Sequence, residues 1–531
     1  MTMEMPAQSG DDTDAVDGSI ESTLHPSRRR NLLASPLLRL PTELVLEVFA
    51  HVIELYDNGY NFDDDYRRPH DRTLFVLTAI CHQLREVGIT SPRLWSSVDF
   101  TTIPIAELFL ERCNYDPHIF LIKESGPRQP RAAHDPRRGA VWEKLEGRTF
   151  NNLRSLVFEG TEREFALRVI SLLQRAPNAS NLDFTNISFR PSLELPQLIS
   201  DPIPNLSTLR LHNFLINWAS PLLRNLTRLT LGSERPRIPP ERVSIEMFLT
   251  ALANCPNLEI LNLTHTRPEP FDSHQTKCDV VVQLRRLREL SLKFYDPSTV
   301  GCILLHIRYP ESTKLAVYVP VGVHTDLSET ISQVLPDRNV QAIQHFRQST
   351  ALTVYLDNHP HFFTDNALIH FEKSYLQEPY LRPQRNPQQL VRFASKVVEV
   401  IGGDTIISLI IEAWGNGPPD EIWEAFLHGF PLLEQICYHR KWGVANRDRV
   451  NPFVLVFSRP FEGGSACPWL QHLELPRVAL TKASAAVLKC ALKERNACGR
   501  RLKRIGLSDD VTEVGDQLVL EPFRDLVDEV E

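Results

Sequence analysis

No stretch of this sequence reaches the roughly 18 consecutive apolar residues that a membrane-spanning helix needs, so no membrane span is expected. The first residues, MTMEMPAQSGDDTDAVDG, are acidic and polar and lack the basic and apolar regions of a secretory signal. An intracellular location, cytoplasm or nucleus or both, is the expectation. Five Asn-x-Ser/Thr sequons, starting at Asn178, Asn186, Asn205, Asn225 and Asn262, would matter only on a secretory route. A basic excess is also missing. Lys and Arg number 58 against 66 Asp and Glu, a net charge of −8, which argues against a broad nucleic-acid footprint. Two local basic runs, Arg28-Arg29-Arg30 and Arg128–Arg138, read as solvated linker charge, with a nuclear-import signal the alternative for the first. None of the nine cysteines forms a Cys-x-x-Cys pair, which suits reduced, buried thiols.

Signatures of catalysis are lacking as well. "IGGDT" at 401–405 has no lysine to make a phosphate loop, and neither Gly-x-Ser-x-Gly nor His-Glu-x-x-His occurs. His359 and His361 flank Pro360, but no nearby cysteine or ordered carboxylate completes a tetrahedral metal set, so a polar loop is expected there. Cys490 and Cys498, on or beside the predicted helix KASAAVLKCALKERNACG, read as buried or idle thiols. No catalytic residue, metal or cofactor is expected, and the chain reads as a non-enzyme.

What is present begins at residues 37–52, LLRLPTELVLEVFAHV. Positions 44, 45, 48, 49 and 52 share one broad helical stripe, Pro41 suits the first helical position, and Glu43 suits the positive end of the helix dipole. Leu74, Leu77, Cys81 and Leu84 predict a second helix over about 73–87, and the polar segment 56–72 reads as a loop between the two. A third apolar cluster follows in SPRLWSSVDF, Ser91 to Phe100. Residues 1–36 are too polar to bury a core and read as a disordered tail.

After residue 100, Leu-x-x-Leu-x-Leu recurs, with clean copies at Leu206, Leu226, Leu258, Leu287 and Leu470 and weaker ones at Leu153, Ala179, Ile406, Leu433 and Leu502. The starts between 153 and 287 fall 20 to 32 residues apart, near the period of leucine-rich repeats. The last two apolar residues of a copy lie two apart and share one face of a short strand. Helical stretches such as EREFALRVISLLQRAPN and SIEMFLTALANCPN fill the gaps. Such a unit buries both apolar faces only by stacking on its neighbours. The predicted fold class is therefore α/β, with parallel strands on one face and helices on the other, over 101–507. Spacing is irregular over about 297–400, read as insertions or divergent repeats in one solenoid, with two lobes as the alternative. Residues 508–531 read as an acidic cap or tail. Outward positions on the strands, Asp183 and Thr185, Arg210 and His212, Thr230, Asn262 and Thr264, Ser291 and Lys293, are the candidate target-binding residues, on the concave face that solenoids offer to partners.

Residues 38–100 resemble an F-box. Leu40-Pro41-x-Glu43-Leu44 and Val48-Phe49 match its first segment, Ile80-Cys81 and Arg85 its second in part, and Pro92-x-Leu94-Trp95 its third. His82 stands where the family has Arg, and Leu84 where it has Trp. The insertion between the first two segments resembles the large F-box family of mushroom-forming fungi. The resemblance implies a three-helix F-box over 37–100 that docks a Skp-type adaptor and, through it, a cullin–RING ubiquitin ligase. The repeats would then hold an unknown target protein. The adaptor-binding candidates are Leu40, Pro41, Glu43, Leu44, Val48, Phe49, Leu77, Ile80, Cys81, Leu94 and Trp95. The alternative is a leucine-rich repeat scaffold that joins no ligase.

Overall fold

A computed structural model describes residues 35–58, 70–123, 136–160, 163–186, 203–214, 218–233, 243–265, 268–269, 280–321, 325–337, 339–356, 360–373, 386–414, 417–441, 451–461, 464–465, 467–476, 478, 480–507 and 521–530. The Arg28–Arg30 run, nearly all of the expected tail, most of the 56–72 segment, most of the Arg128–Arg138 run and His359 lie outside these residues. The chain divides into two compact units, residues 1–160 with 171–179, and residues 161–170 with 180–531.

The first unit opens with a 3-10 turn at Pro36–Arg39, then α1 (Thr42–Asn58), α2 (His70–Ala79), α3 (His82–Thr90) and a second 3-10 turn at Pro92–Trp95. Helix α1 begins one residue later than expected, and the Pro41 carbonyl accepts from the Val45 N–H at 3.1 Å. It also runs to Asn58, and α2 starts at His70, so both helices reach into the segment expected to be a loop. The single helix expected over 73–87 is two helices. In a continuous helix the Thr78 carbonyl would accept from His82; here it accepts from Arg85 Nε at 3.2 Å, and Cys81 is extended. Gly88 lets α3 fold back on α2, because a Cβ there would come within 2.5 Å of Thr78 Cγ2. Then come β1 (Ser97–Asp99), α4 (Ile103–Arg112), β2 (Ile119–Lys123), α5 (Pro136–Leu145) and β3 (Ser155–Gly160). The three strands are parallel, with β2 in the middle. Phe75, Trp95 and Phe109 form an edge-to-face cluster that joins α2, the second turn and α4, and Trp95 Nε1 donates to the Gly88 carbonyl at 2.7 Å.

The division between units falls within α6 (Arg163–Leu173). The second unit continues with β4 (Asn181–Asn186), β5 (Thr208–His212), β6 (Arg228–Gly232), α7 (Ile245–Ala253), β7 (Ile260–Thr264) and β8 (Glu289–Lys293). These five strands pair in chain order, all parallel. Leu209, Leu211, Leu229, Leu231, Leu261, Leu263, Leu290 and Leu292 are buried on one face. Strands β5 and β7 end alike. Asn213 and His265 adopt positive φ, and their N–H groups donate to the neighbouring strands at Gly232 and Lys293. Asn tolerates that conformation better than most residues.

Next come α8 (Pro297–His306), β9 (Lys314–Val321), α9 (Leu327–Val334), α10 (Val340–Arg347), β10 (Ala351–Leu356), β11 (His361–Thr364) and β12 (Ala367–Lys373). Here the order changes. β8 and β12 flank β9, and the sheet continues β12–β11–β10 with two antiparallel pairings. The irregularity read from the sequence is thus a three-strand meander, and strand pairing runs through it without a gap. His361 is part of a strand, not of a polar loop; its neighbours Phe362 and Thr364 turn inward while it turns outward. Parallel pairing resumes with β13 (Ser408–Trp414), which lies beside β10, and continues through β14 (Gln435–Lys441), β15 (His472–Leu475), β16 (Leu502–Leu507) and β17 (Val527–Val530). Strand β17, with the buried Val527 and preceded by the buried Phe523, closes the acidic segment as part of the sheet.

Helices α11 (Pro387–Ile401), α12 (Asp420–Gly429), α13 (Pro452–Ser458) and α14 (Lys482–Ala497) cover the buried face. Phe393 on α11 meets Phe362 and Phe371, and Trp423 on α12 meets Tyr438 and Phe453. Three helices start by one device: Asp296-Pro297, Asn386-Pro387 and Asn451-Pro452 place an accepting side chain before a proline that has no N–H to satisfy. The architecture is mixed α/β with a large, mostly parallel sheet, and the described pairings do not close it into a barrel. Among the described residues no helix is long and apolar enough to cross a membrane.

Candidate interaction surfaces

Helix α1 has two apolar faces. Val45, Phe49 and Ile53 are buried, while Leu44 and Val48 point outward with Leu40 just before the helix; Leu44 is 50% exposed. The stripe expected to act as one is therefore split. On α2, Leu74 is buried, Leu77 is half-buried and Val76 is 58% exposed; Ile80, just after the helix, is 62% exposed. Helices α1 and α2 pack on one another, so both exposed rows belong to one helical block. Pro41 and Glu43 are exposed and Cys81 is half-buried. Phe49, Leu94 and Trp95 are interior residues, so they hold the block together rather than face a partner. Val76 was not foreseen, because it lies off the Leu74–Leu84 stripe. Leu84 is buried at 2%.

In the second unit, the residues expected to face outward do share a face. Asp183, Arg210, Thr230, Asn262 and Ser291 lie in one register row, and Thr185, His212, Gly232, Thr264 and Lys293 in the next. Their charges are already engaged. Arg210 pairs with Asp183 at 3.6 Å and Lys293 with Glu372 at 2.7 Å. The His212 ring lies where a Cβ on residue 232 would stand, 2.6 Å from His212 Cδ2, so Gly232 is required beside it. Asn262 Oδ1 is buried with no partner among the described residues.

The second row does not stop at Lys293. It continues in register through Tyr318, His370, His361, Tyr355, Glu412 and His439. Rings neighbour one another along it, and two of the pairs, His370–His361 and His361–Tyr355, are stacked. Tyr318 and His370 are 5.8 Å apart, His370 and His361 4.6 Å, and His361 and Tyr355 4.0 Å between centroids. The first row continues through Ala316, Leu368, Phe363, Thr353, Ile410, Cys437 and Glu474. Cys437 Sγ lies 3.1 Å from His439 Nε2 and 3.5 Å from Glu474 Oε2. Burial pushes the Cys437 thiol up to about 12, and the carboxylates of Glu474 and Glu412 push the same way. Both effects favour the protonated thiol over the thiolate. None of these residues was singled out from the sequence except His361, and the meander is the reason: their alignment depends on pairings that skip along the chain.

The thiols differ from expectation in part. Cys113, Cys255, Cys437 and Cys467 are buried, whereas Cys490 and Cys498 are exposed. Among the described residues, no group of three or more His, Cys, Asp or Glu is arranged to hold a metal ion. Neither a protein-family model nor a curated protein matches the chain.

Proposed function

We propose that this chain is the substrate-recognition subunit of a Skp–cullin–F-box ubiquitin ligase. Helices α1–α3 act as the F-box, and the second unit acts as a leucine-rich repeat solenoid that holds the target. The reading is carried by the exposed apolar residues Leu40, Leu44, Val48 and Ile80, which lie in the motifs that resemble an F-box, and by Val76, exposed on α2. A helical block that already has a buried stripe gains nothing in isolation from a second apolar face; a partner's helices would cover it. Leu84, at the family's Trp position, faces the interior, so that exchange alters packing rather than the exposed row. In this role the chain performs no covalent step. It holds the target while a separate conjugating enzyme, brought by the cullin–RING assembly, modifies the target's lysines.

The test is co-purification of a Skp-type adaptor with the full chain and with Leu44→Asp and Ile80→Asp. Both side chains are exposed, so the melting temperature should not move while the adaptor is lost. A wild-type chain that brings down a target but no adaptor would replace this reading with that of a scaffold outside any ligase.

A further inference from the structure

We propose that the rim on which strands β6–β9 begin is a docking surface for an acidic protein segment, whose Asp and Glu carboxylates seat on Arg224, Arg228, Arg285, Arg286 and Arg308. These arginines belong to the second unit, and the proposal does not depend on the ligase reading.

Two observations carry it. The first is an imbalance of charge confined to one stretch of rim. All five arginines are exposed. Arg224 lies in the turn before β6 and Arg228 is the first residue of that strand, while Arg285 and Arg286 lie in the turn before β8. These turns are neighbours. The Glu259 N–H donates to the Thr227 carbonyl, that of Arg288 to Glu259 and that of Lys314 to Arg288, which ties the starts of the four strands into one row. Three acidic residues share the stretch. Glu259 pairs with Arg288 at 3.8 Å, Glu289 faces Lys314 in register, and Glu311 sits in the turn before β9. With those two pairs set aside, five arginines stand against one glutamate. The excess is local. At the place that Arg286 takes, just before the leading buried apolar residue, β5 has Asn205, β13 has Thr405 and β14 has Leu432.

The second observation is how the arginines are held. Arg285 donates from Nε and Nη2 to Gln283 Oε1 at 3.3 and 3.1 Å, and Arg308 donates from Nη1 to Gln341 Oε1 at 3.3 Å. Gln341 is fixed in turn by a bond from Nε2 to the Tyr309 carbonyl at 2.7 Å. Gln283 and Arg308 are register partners in the two-stranded ribbon of Val282–Gln283 and Ile307–Arg308. Amides thus orient two guanidinium groups on neighbouring strands. An amide acceptor places a guanidinium without neutralising it, and like charges on adjacent strands repel. A carboxylate relieves that repulsion and accepts bidentately from the planar guanidinium fork. The occupant is short. Strands β6 and β8 are two interstrand steps apart, about 10 Å, which is roughly three residues of extended chain. A nucleic acid needs a longer basic track, and the chain as a whole carries a net charge of −8.

The experiment displays random peptides, about twelve residues long and so able to span the rim, to the full chain. The library is first depleted on the double variant Arg285→Glu with Arg286→Glu. Peptides with clustered Asp and Glu should be enriched. The consensus peptide is then synthesised with a fluorophore and titrated by anisotropy. Its affinity should fall about tenfold or more in the double variant, and about threefold in Arg308→Gln. It should also weaken as salt rises from about 0.05 to 0.2 M. Lys489→Glu with Lys493→Glu makes the same change in net charge on α14 and should leave the affinity within about twofold. Melting of each variant verifies folding, and Arg308→Gln keeps the test alive if the double variant is unstable. A neutral or basic consensus, no enriched peptide, or equal losses in the two double variants would overturn the proposal. Tighter binding of single-stranded oligothymidine than of the acidic peptide would overturn it too, and would assign the rim to nucleic acid. Adaptor co-purification should be unchanged in Arg285→Glu with Arg286→Glu, so failure of this surface and failure of the ligase reading are told apart.

Discussion

Strands β4–β8 and strands β9–β13 are built on the same buried face and differ on the other. In the first stretch each strand is followed by a return segment, and every pairing is parallel. In the second, only Asp365 and Asn366 separate β11 from β12, too few for a crossover, so that pair must be antiparallel. The buried face hardly registers the change. Leu352, Val354, Phe362, Ile369 and Phe371 are as buried as the leucines of the regular strands. Alternation along a strand works in either direction, so the core tolerates a reversed strand. The outward rows are what change. The regular strands carry polar side chains and an ion pair between neighbours, whereas the meander carries stacked rings and exposed apolar area. The lesson is that a repeat can hold its core constant while an irregular insert supplies a different surface.

The largest effect that could break this comparison is loss of core in the meander. Phe393→Ala removes the ring that meets both Phe362 and Phe371. It should destabilise by about 3–5 kcal/mol, and Leu261→Ala in the regular strands by about 2–5 kcal/mol. Urea denaturation of both variants checks this. If Phe393→Ala proves nearly neutral, the meander is an appendage and the shared-core account fails. A smaller effect is expected at Gly232. A methyl there meets the His212 ring, so Gly232→Ala should lower stability by about 1–3 kcal/mol. Adding His212→Ala should recover much of that loss. Two independent, additive losses in the double variant would mean that the glycine serves some other purpose.

A pH dependence should belong to the meander end. His345 on α10 is buried beside Tyr309, with Nε2 3.4 Å from the Asn366 carbonyl. Burial holds its pKa below the ordinary histidine value of 6.5, although the backbone hydrogen bonds oppose that shift. The unfolded chain therefore takes up this proton first as pH falls. The stabilisation from the neutral imidazole is complete above about 6.5 and is lost as pH drops through the folded-state value. Stability measured between pH 8 and pH 5 should fall less steeply in His345→Gln than in the wild type. Identical slopes would exclude His345 as a contributor.

Most of the sheet was legible because a two-residue period with leucine inward is hard to mistake. The same period placed Asp183, Arg210, His212, Asn262, Ser291 and Lys293 on one face, and their register rows bear that placement out. Alternation cannot show who pairs with whom. In HFFTDNALIHFEK the apolar residues fall on both faces, so Phe362 and Phe363 look alike in sequence although one is buried and the other exposed. The break between α2 and α3 was hidden for a similar reason: the three-four-three spacing of Leu74, Leu77, Cys81 and Leu84 runs straight across it. What interrupts the helix is a side-chain bond from Arg85 and the close approach at Gly88, neither of which is periodic. The two faces of α1 were merged because Leu44 and Val45 are adjacent and equally apolar; only the position of the core decides which one turns in.

The smallest effect expected is at Arg210, and it bears most directly on which half of the sheet would hold the proposed target. The guanidinium lies 3.6 Å from Asp183, with its side chain 37% exposed. An ion pair that open to solvent contributes only about 0–1 kcal/mol, so Arg210→Gln should cost less than about 1 kcal/mol. Arg210→Glu should cost more, because Asp183 and residue 210 are register partners on adjacent strands and like charges there repel. For binding, an arginine already engaged by its neighbour must give up that contact to anchor a partner, whereas Phe363 has exposed area to offer at once. The combination Arg210→Glu, Asn262→Ala and Ser291→Ala should therefore keep adaptor binding and weaken target capture less than Phe363→Ala does. Parallel pull-downs of one target on the two variants decide it. If the combination abolishes capture and Phe363→Ala leaves it intact, recognition belongs to the regular strands, and the meander's outward rows serve another purpose.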